Sequence, residues 1–141
     1  MIKEKIVIKK SPETVFEAIR KLRNENARKL ESFEGNVAVI KEELENVPVF
    51  GKVECLWEEK ESPFERIDFK MLSSSKFKES YGAYILTKGK DGASTTLEIE
   101  AHMDAGLNIP FAAEMTKAST SKDTKIRLEL IKKVAEALPT A

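Results

Sequence analysis

The stretch KIVIKKSPETVFEAI, residues 5–19, places a strand-like run directly before a capped helix. Its first residues are mostly β-branched and alternate in part, which is typical of a strand. Ser11 is a good N-cap because its hydroxyl can accept from an orphan N–H of the first turn, and Pro12 then falls where its missing N–H costs nothing. Apolar side chains follow on one helical face, at Val15, Phe16, Ile19 and Leu22. The chain therefore opens with a strand and an amphipathic helix that must pack against something.

The composition bounds the class of protein. With 141 residues we expect a single domain over residues 1–141, large enough for a core and a cavity. Lys plus Arg and Asp plus Glu both count 24, a balance that argues against a nucleic-acid binder. The single Cys55 excludes an internal disulfide and a CxxC zinc site. The chain has no Gln and is 34% charged, which is the pattern of heat-adapted proteins.

The sequence also indicates where the protein resides. No apolar run approaches the ~18 residues that a transmembrane helix needs. The N-terminus, MIKEKIVIKK, lacks the apolar core and cleavage site of a signal peptide. We therefore expect a cytoplasmic protein without a transmembrane segment.

After the first helix the apolar periodicity changes from 3.6 to 2, which predicts a run of strands. Residues 20–30 are polar and predict a helix end followed by a second short helix or a turn. Residues 27–33 could add a seventh strand to the six that are clear. Turn signals at residues 47–48, 62–63 and 90–92 separate the later strands, so neighbouring strands are expected to be antiparallel.

The C-terminal segment predicts one long helix. Residues 111–138 contain no Gly or Pro, and Pro139 ends the pattern. We predict a buried stripe along it, formed by Ala112, Met115, Ser119, Ile126, Leu130, Val134 and Ala137. The polar break at residues 119–123 either leaves room for a ligand or is an ordinary solvated or bent segment. The predicted architecture is an α+β domain in which a curved antiparallel sheet of six or seven strands wraps this helix.

This order of elements resembles a known superfamily. The pieces that carry the resemblance are KIVIKKSPETVFEAI, the strand ending FERIDFKM, the pair SYGAYILTKGKDGASTTLEIEAHM and the long helix after NIPF. Together they resemble the SRPBCC superfamily, which has the helix-grip fold of START domains, Bet v 1-type plant proteins and polyketide cyclase/coenzyme Q-binding-like proteins. The resemblance implies a hydrophobic ligand between the sheet and the C-terminal helix, and some members catalyse cyclisation or hydrolysis there.

Inward-facing side chains of the sheet and the final helix are the candidate ligand-binding residues. They are Val53, Cys55, Trp57, Phe69, Met71, Tyr84, Leu86, Leu97, Ile99, Met103, Phe111, Met115 and Ser119. Their alternative role is plain core packing, and both roles suit apolar strand faces. We expect Cys55 to be an inert, buried hydrophobe.

Charged groups are assigned to the outside. His102 shares the polar face of its strand with Glu98, Glu100 and Asp104, so it points away from the predicted cavity. A hard cation on that face is an alternative to a solvated surface, and no metal site is assigned. A basic cluster of Arg20, Lys21, Arg23, Arg28 and Lys29 is interpreted as a solvated face, with an anionic head group as the alternative.

These observations predict a binding or carrier protein for a small hydrophobic ligand such as a fatty acid or an isoprenoid-like lipid. We expect no acid/base constellation facing inward, and we assign no catalytic residue and no cofactor. One alternative is a cyclase- or hydrolase-like enzyme that uses Tyr81, Tyr84 or Cys55 in the same cavity. Another is a homodimeric interaction module that uses an exposed sheet edge and has no ligand.

Overall fold

A computed structural model describes residues 1–139 as one antiparallel sheet with two α-helices. The helices are α1 (Pro12–Lys21) and α2 (Ala112–Ala137). The strands are β1 (Ile2–Ile8), β2 (Arg28–Glu34), β3 (Val37–Val47), β4 (Gly51–Ser62), β5 (Arg66–Ser74), β6 (Glu79–Lys88) and β7 (Thr95–Asp104). They form a seven-stranded sheet in the order β1-β7-β6-β5-β4-β3-β2, which confirms the predicted sheet and its terminal helix.

The first helix begins as the sequence predicts. The Ser11 side chain accepts a hydrogen bond from the backbone N–H of Thr14 at 3.4 Å, and Pro12 occupies the first turn. A 3-10 turn, Leu22–Asn24, follows α1 at once, where a second short helix or a turn was expected. The chain then enters β2, so residues 28–34 supply the seventh strand.

The long helix is confirmed in extent, but its predicted buried stripe is wrong. The buried side chains of α2 are Thr124, Leu128, Ile131 and Ala135. Ile126 is instead 56% exposed and Met115 is 50% exposed, while Leu130 and Val134 pack only at the margin of the core. Apolar residues occur on more than one face of α2, and its rotation is set by packing on β1, β7 and α1.

The core lies between the two helices and the strands β1, β7, β6 and β5. Its fully buried members include Ile8, Phe16, Ile19, Leu22, Ile67, Leu97 and Ile131. On β6 the missing side chain of Gly82 makes room for the Phe69 ring, since a Cβ there would lie 2.6 Å from Cζ of Phe69. This close approach holds the Phe69 ring against the middle of the sheet.

No helix within residues 1–139 is long and apolar enough to span a bilayer.

Candidate functional site

The concave face of the sheet carries a continuous row of inward side chains. Directly paired residues of neighbouring strands point to the same face. Phe69 is opposite both Glu59 and Gly82, and Tyr84 is opposite Ile67 and Ile99. Trp57 lies two residues before Glu59 on β4 and therefore points the same way, so Trp57, Phe69 and Tyr84 share one face of the sheet.

A cavity of about 150 Å³ lies between this face and α2. Its wall is made of Arg28, Glu42, Trp57, Glu59, Phe69, Tyr84 and Arg127. The aromatic part is continuous, because the ring centroids of Trp57 and Phe69 are 6.0 Å apart and those of Phe69 and Tyr84 are 5.4 Å apart. The remaining four side chains are charged, so the cavity combines an aromatic wall with ionic groups.

A buried charge cluster, formed by Arg20, Arg23, Arg28, Glu59 and Glu61, extends from the cavity to α1. Arg23 is 1% exposed and donates from Nε to Oε1 of Glu59 at 2.7 Å and from Nη1 to Oε2 of Glu61 at 2.8 Å. Arg20 reaches Glu61 from the outside, with Nη2 2.7 Å from Oε1, and Arg28 Nη2 donates to Oε2 of Glu59 at 3.3 Å. The two glutamates of β4 thus accept hydrogen bonds from arginines of α1, the 3-10 turn and β2.

The opposite wall is organised by Arg127, which α2 aims at the sheet. Its Nε donates to the Tyr84 hydroxyl oxygen at 3.2 Å. Burial alone would lower the pKa of Arg127, but Tyr84 and the nearby carboxylates raise it above its usual value, so the guanidinium is cationic. The indole Nε1 of Trp57 donates to Oε1 of Glu42 at 3.0 Å, which fixes the ring at the cavity.

The hydrogen bonds from Arg20 and Arg23 also set the acidity of Glu61. Burial would raise the pKa of Glu61, but the two arginines outweigh it and hold this pKa below its usual value of 4.5. A lowered pKa in the folded state stabilises the protein fully above the unfolded value, and this stabilisation is lost as the pH falls through the folded pKa.

We therefore predict that stability falls as the pH drops below about 4.5, and that Glu61→Gln flattens this dependence. The measurement is the urea midpoint of both proteins between pH 7 and pH 3. Glu34→Gln, at an exposed position of β2, is the matched control and should keep the wild-type slope. Equal slopes for Glu61→Gln and the wild type would contradict the assignment.

The inward charges are what the sequence reasoning missed. Arg20, Arg23 and Arg28 were interpreted as a solvated face, whereas the structure pairs them with Glu59 and Glu61. The expectation that no acid/base groups face inward is thus wrong. The signal was present, because the alternation of Val53, Cys55 and Trp57 continues by twos to Glu59 and Glu61. Lys21 and Lys29 are exposed as expected.

The other predicted ligand residues are dispersed. Trp57, Phe69 and Tyr84 line the cavity, whereas Leu86, Leu97 and Ile99 belong to the core. Val53 and Cys55 are buried farther along β4, and Met71 is half-buried beside Trp57. Phe111 is 76% exposed, and Met115 and Ser119 are also exposed. These three residues line neither this cavity nor the second one described below. A ligand contact at these residues stays a prediction.

A second, larger cavity of about 410 Å³ lies between the end of β7 and the first half of α2. The predicted Met103 lines it, together with Ile2 of β1. The helix contributes Ala112, Thr116 and Thr120, which recur every four residues along one face. The small side chains that leave room along α2 are therefore Ala112, Thr116 and Thr120, which lie on a different face of the helix from Met115 and Ser119.

His102 lies on the face of the sheet opposite to Phe69 and Tyr84, as predicted, but it also borders the second cavity at the end of β7. It is opposite Tyr81, with ring centroids 4.8 Å apart, and its Nε2 is 3.4 Å from Oε2 of Glu79. Within residues 1–139 no three His, Cys, Asp or Glu side chains are grouped so that they could hold a metal ion.

Tyr81, Tyr84 and Cys55, which the enzyme alternative requires in one cavity, do not lie together. Cys55 is buried, its Sγ is 3.5 Å from Oγ of Ser74, and burial raises the pKa of its thiol. Tyr81 is exposed on the outer face with His102, while Tyr84 alone faces the cavity. A thiol with a raised pKa is a poor nucleophile, so Cys55 behaves as a packed side chain.

Solved structures share this architecture. The ZhuI aromatase/cyclase from Streptomyces sp. R1128 is 14% identical with a TM-score of 0.78, covering 96% of this chain and 92% of that one. The chain has the helix-grip fold. A START superfamily protein from Mycobacterium smegmatis matches with a TM-score of 0.78 at 11% identity, covering 98% of each chain.

Norcoclaurine synthase from Thalictrum flavum also superposes on the helix-grip chain, with a TM-score of 0.68 at 9% identity, covering 97% of this chain and 86% of that one. No family model and no curated protein sequence matches the chain described here. The predicted helix-grip fold is thus confirmed, and at these identities the likeness to these proteins is one of fold alone.

Proposed function

We propose that this helix-grip protein binds a small, mainly apolar ligand between its sheet and α2. The observation that carries the proposal is the cavity of about 150 Å³ whose aromatic wall is formed by Trp57, Phe69 and Tyr84. Ligand sites are concave and mostly apolar, with a few polar groups that fix orientation. The fold similarity supports the same location, because the gap between sheet and terminal helix is where this architecture leaves space.

The size of the cavity bears on the ligand. A volume of about 150 Å³ is smaller than the ~300–1,000 Å³ of common ligand pockets. A long fatty acid or isoprenoid would need α2 to move or would need the larger cavity near Met103. A compact ligand fits the structure without such a movement.

A cyclase-like enzyme is the second candidate. It is favoured by the Tyr84 hydroxyl and the carboxylates of Glu42 and Glu59, which face the same cavity. Carboxylates and a phenol are groups that can transfer protons. Turnover of a bound compound, rather than its recovery unchanged, distinguishes the enzyme from the carrier.

The homodimer alternative has weaker support. β2 forms one edge of the sheet, and its exposed positions include Lys29, Glu31 and Glu34. Charged side chains on an edge strand oppose pairing with another strand. A cytoplasmic location stays a prediction from the missing signal-peptide pattern, and a heat-adapted source stays a prediction from the composition.

The proposal is tested by extracting the purified protein under denaturing conditions and analysing the extract by mass spectrometry. We expect a small molecule in stoichiometric amount, or, if the purified protein is empty, quenching of Trp57 fluorescence by apolar aromatic compounds. Trp57 is the single tryptophan and lies in the cavity wall, so it reports on this site directly. An empty extract together with unchanged fluorescence at millimolar ligand would refute the proposed function.

A further inference from the structure

The cavity wall contains guanidinium nitrogens that lack acceptors. Nε and Nη1 of Arg28 and Nη2 of Arg127 are buried and have no hydrogen-bond partner among residues 1–139. The Arg28 side chain is only 7% exposed. A buried donor left without an acceptor is costly, and more so when it is charged.

Three of the four carboxylate oxygens nearby already accept hydrogen bonds. Both oxygens of Glu59 accept hydrogen bonds, Oε1 from Arg23 and Oε2 from Arg28. Oε1 of Glu42 accepts from Trp57, and its Oε2 is 3.8 Å from Nε of Arg28, beyond hydrogen-bond distance. Tyr84 accepts from Arg127 and keeps its own O–H proton for donation. The cavity therefore has more donors than acceptors.

We propose that the cavity binds a one-ring aromatic carboxylate, with the ring against Trp57, Phe69 and Tyr84 and the carboxylate between Arg28 and Arg127. This inference rests on the proposed function and names its ligand class. A carboxylate supplies the missing acceptors, and its planar pair of oxygens matches the guanidinium fork. A volume of about 150 Å³ accommodates a benzene-sized molecule, so the ligand is limited to a single ring with a small head group.

The neighbouring charges favour a monoanion. Glu42 and Glu59 also line the cavity, so a dianion such as a phosphate monoester would meet two negative charges there. A cationic ligand would meet Arg28 and Arg127. A single carboxylate next to an aromatic ring satisfies both arginines with the least repulsion.

The test is a fluorescence titration of Trp57 with benzoate and with benzamide, which has the same ring and a neutral head group. We expect benzoate to bind the wild-type protein at least about tenfold more tightly, which is the range of one charge-assisted hydrogen bond. Arg127→Gln should reduce this preference by at least about threefold, because one of the two arginines that hold the carboxylate is lost, while benzamide binding changes by less than about twofold. Arg66→Gln removes an arginine that is exposed and paired with Asp68, and it should leave both affinities unchanged.

Equal affinities for benzoate and benzamide in the wild type would overturn the inference, and so would an undiminished preference for benzoate in Arg127→Gln. Circular dichroism and thermal unfolding establish that each variant is folded. If Arg127→Gln does not fold, Arg127→Lys keeps the charge but loses the fork and should still weaken benzoate selectively. Binding of the neutral ring without any preference for the acid refutes only the ligand class. Failure of every aromatic compound to bind, with an empty extract, refutes the proposed function as well.

Discussion

Replacing Arg23 with Met is expected to lower the free energy of unfolding by about 3–5 kcal/mol, since it breaks a buried ion-pair cluster from one side. Arg23 is almost completely buried and is bonded to Glu59 and to Glu61. In the variant, Glu61 would still accept a hydrogen bond from Arg20. Glu59 would retain only the longer hydrogen bond from Arg28. Urea unfolding at pH 7, followed by circular dichroism, measures the loss.

The matched control is Arg66→Met. Arg66 pairs with Asp68 at 2.9 Å, but both side chains are well exposed, and exposed pairs contribute about 0–1 kcal/mol. The prediction is thus that Arg23→Met loses more unfolding free energy than Arg66→Met, although both make the same chemical change. A loss for Arg23→Met no larger than for Arg66→Met would show that the buried pairs are not formed as described.

The second large effect concerns the rotation of α2. Ile131→Ala is expected to cost about 2–5 kcal/mol, because Ile131 is fully buried in the core between α2, α1 and the sheet. Truncation removes apolar contacts and leaves a cavity that the surrounding side chains fill only in part. The measurement is again the urea midpoint, together with the slope of the transition.

Ile126→Ala is the control for this prediction, because it makes the same chemical change on the same helix. Ile126 is exposed, and surface substitutions usually stay within about 0.5 kcal/mol. The stripe inferred from the sequence predicts the reverse order, with Ile126 more sensitive. A larger loss at Ile126 than at Ile131 would therefore mean that the helix is rotated from the orientation described above.

The charge cluster connects the opening helix to the candidate site. Arg20 at the end of α1 bonds to Glu61 of β4, and Arg23 in the 3-10 turn bonds to Glu59. Glu59 in turn accepts a hydrogen bond from Arg28 at the cavity wall. The residues that position the ligand-facing arginine are thus part of the same network that ties α1 to the sheet. A change in Arg23 is expected to affect both stability and the cavity.

The sequence by itself determined the elements and their order. The N-cap at Ser11 and Pro12, the period of two along the strands and the long segment without Gly or Pro before Pro139 are local signals, so they could be read without knowing any contact. The same alternation placed Trp57, Phe69 and Tyr84 on the inner face, because a strand allows a side chain only two directions. The curved sheet over a terminal helix followed from these signals and from the resemblance.

Only the tertiary structure decided which charges face inward and which side of α2 is buried. Charged residues face water by default, and Glu59 and Glu61 face inward because they pair with Arg20 of α1, Arg23 of the 3-10 turn and Arg28 of β2. Likewise, a helix with apolar residues on several faces can pack in several rotations, and the choice of Ile131 over Ile126 depends on the surfaces of β1, β7 and α1. Such pairings join residues distant in sequence, and they form only when the elements have docked.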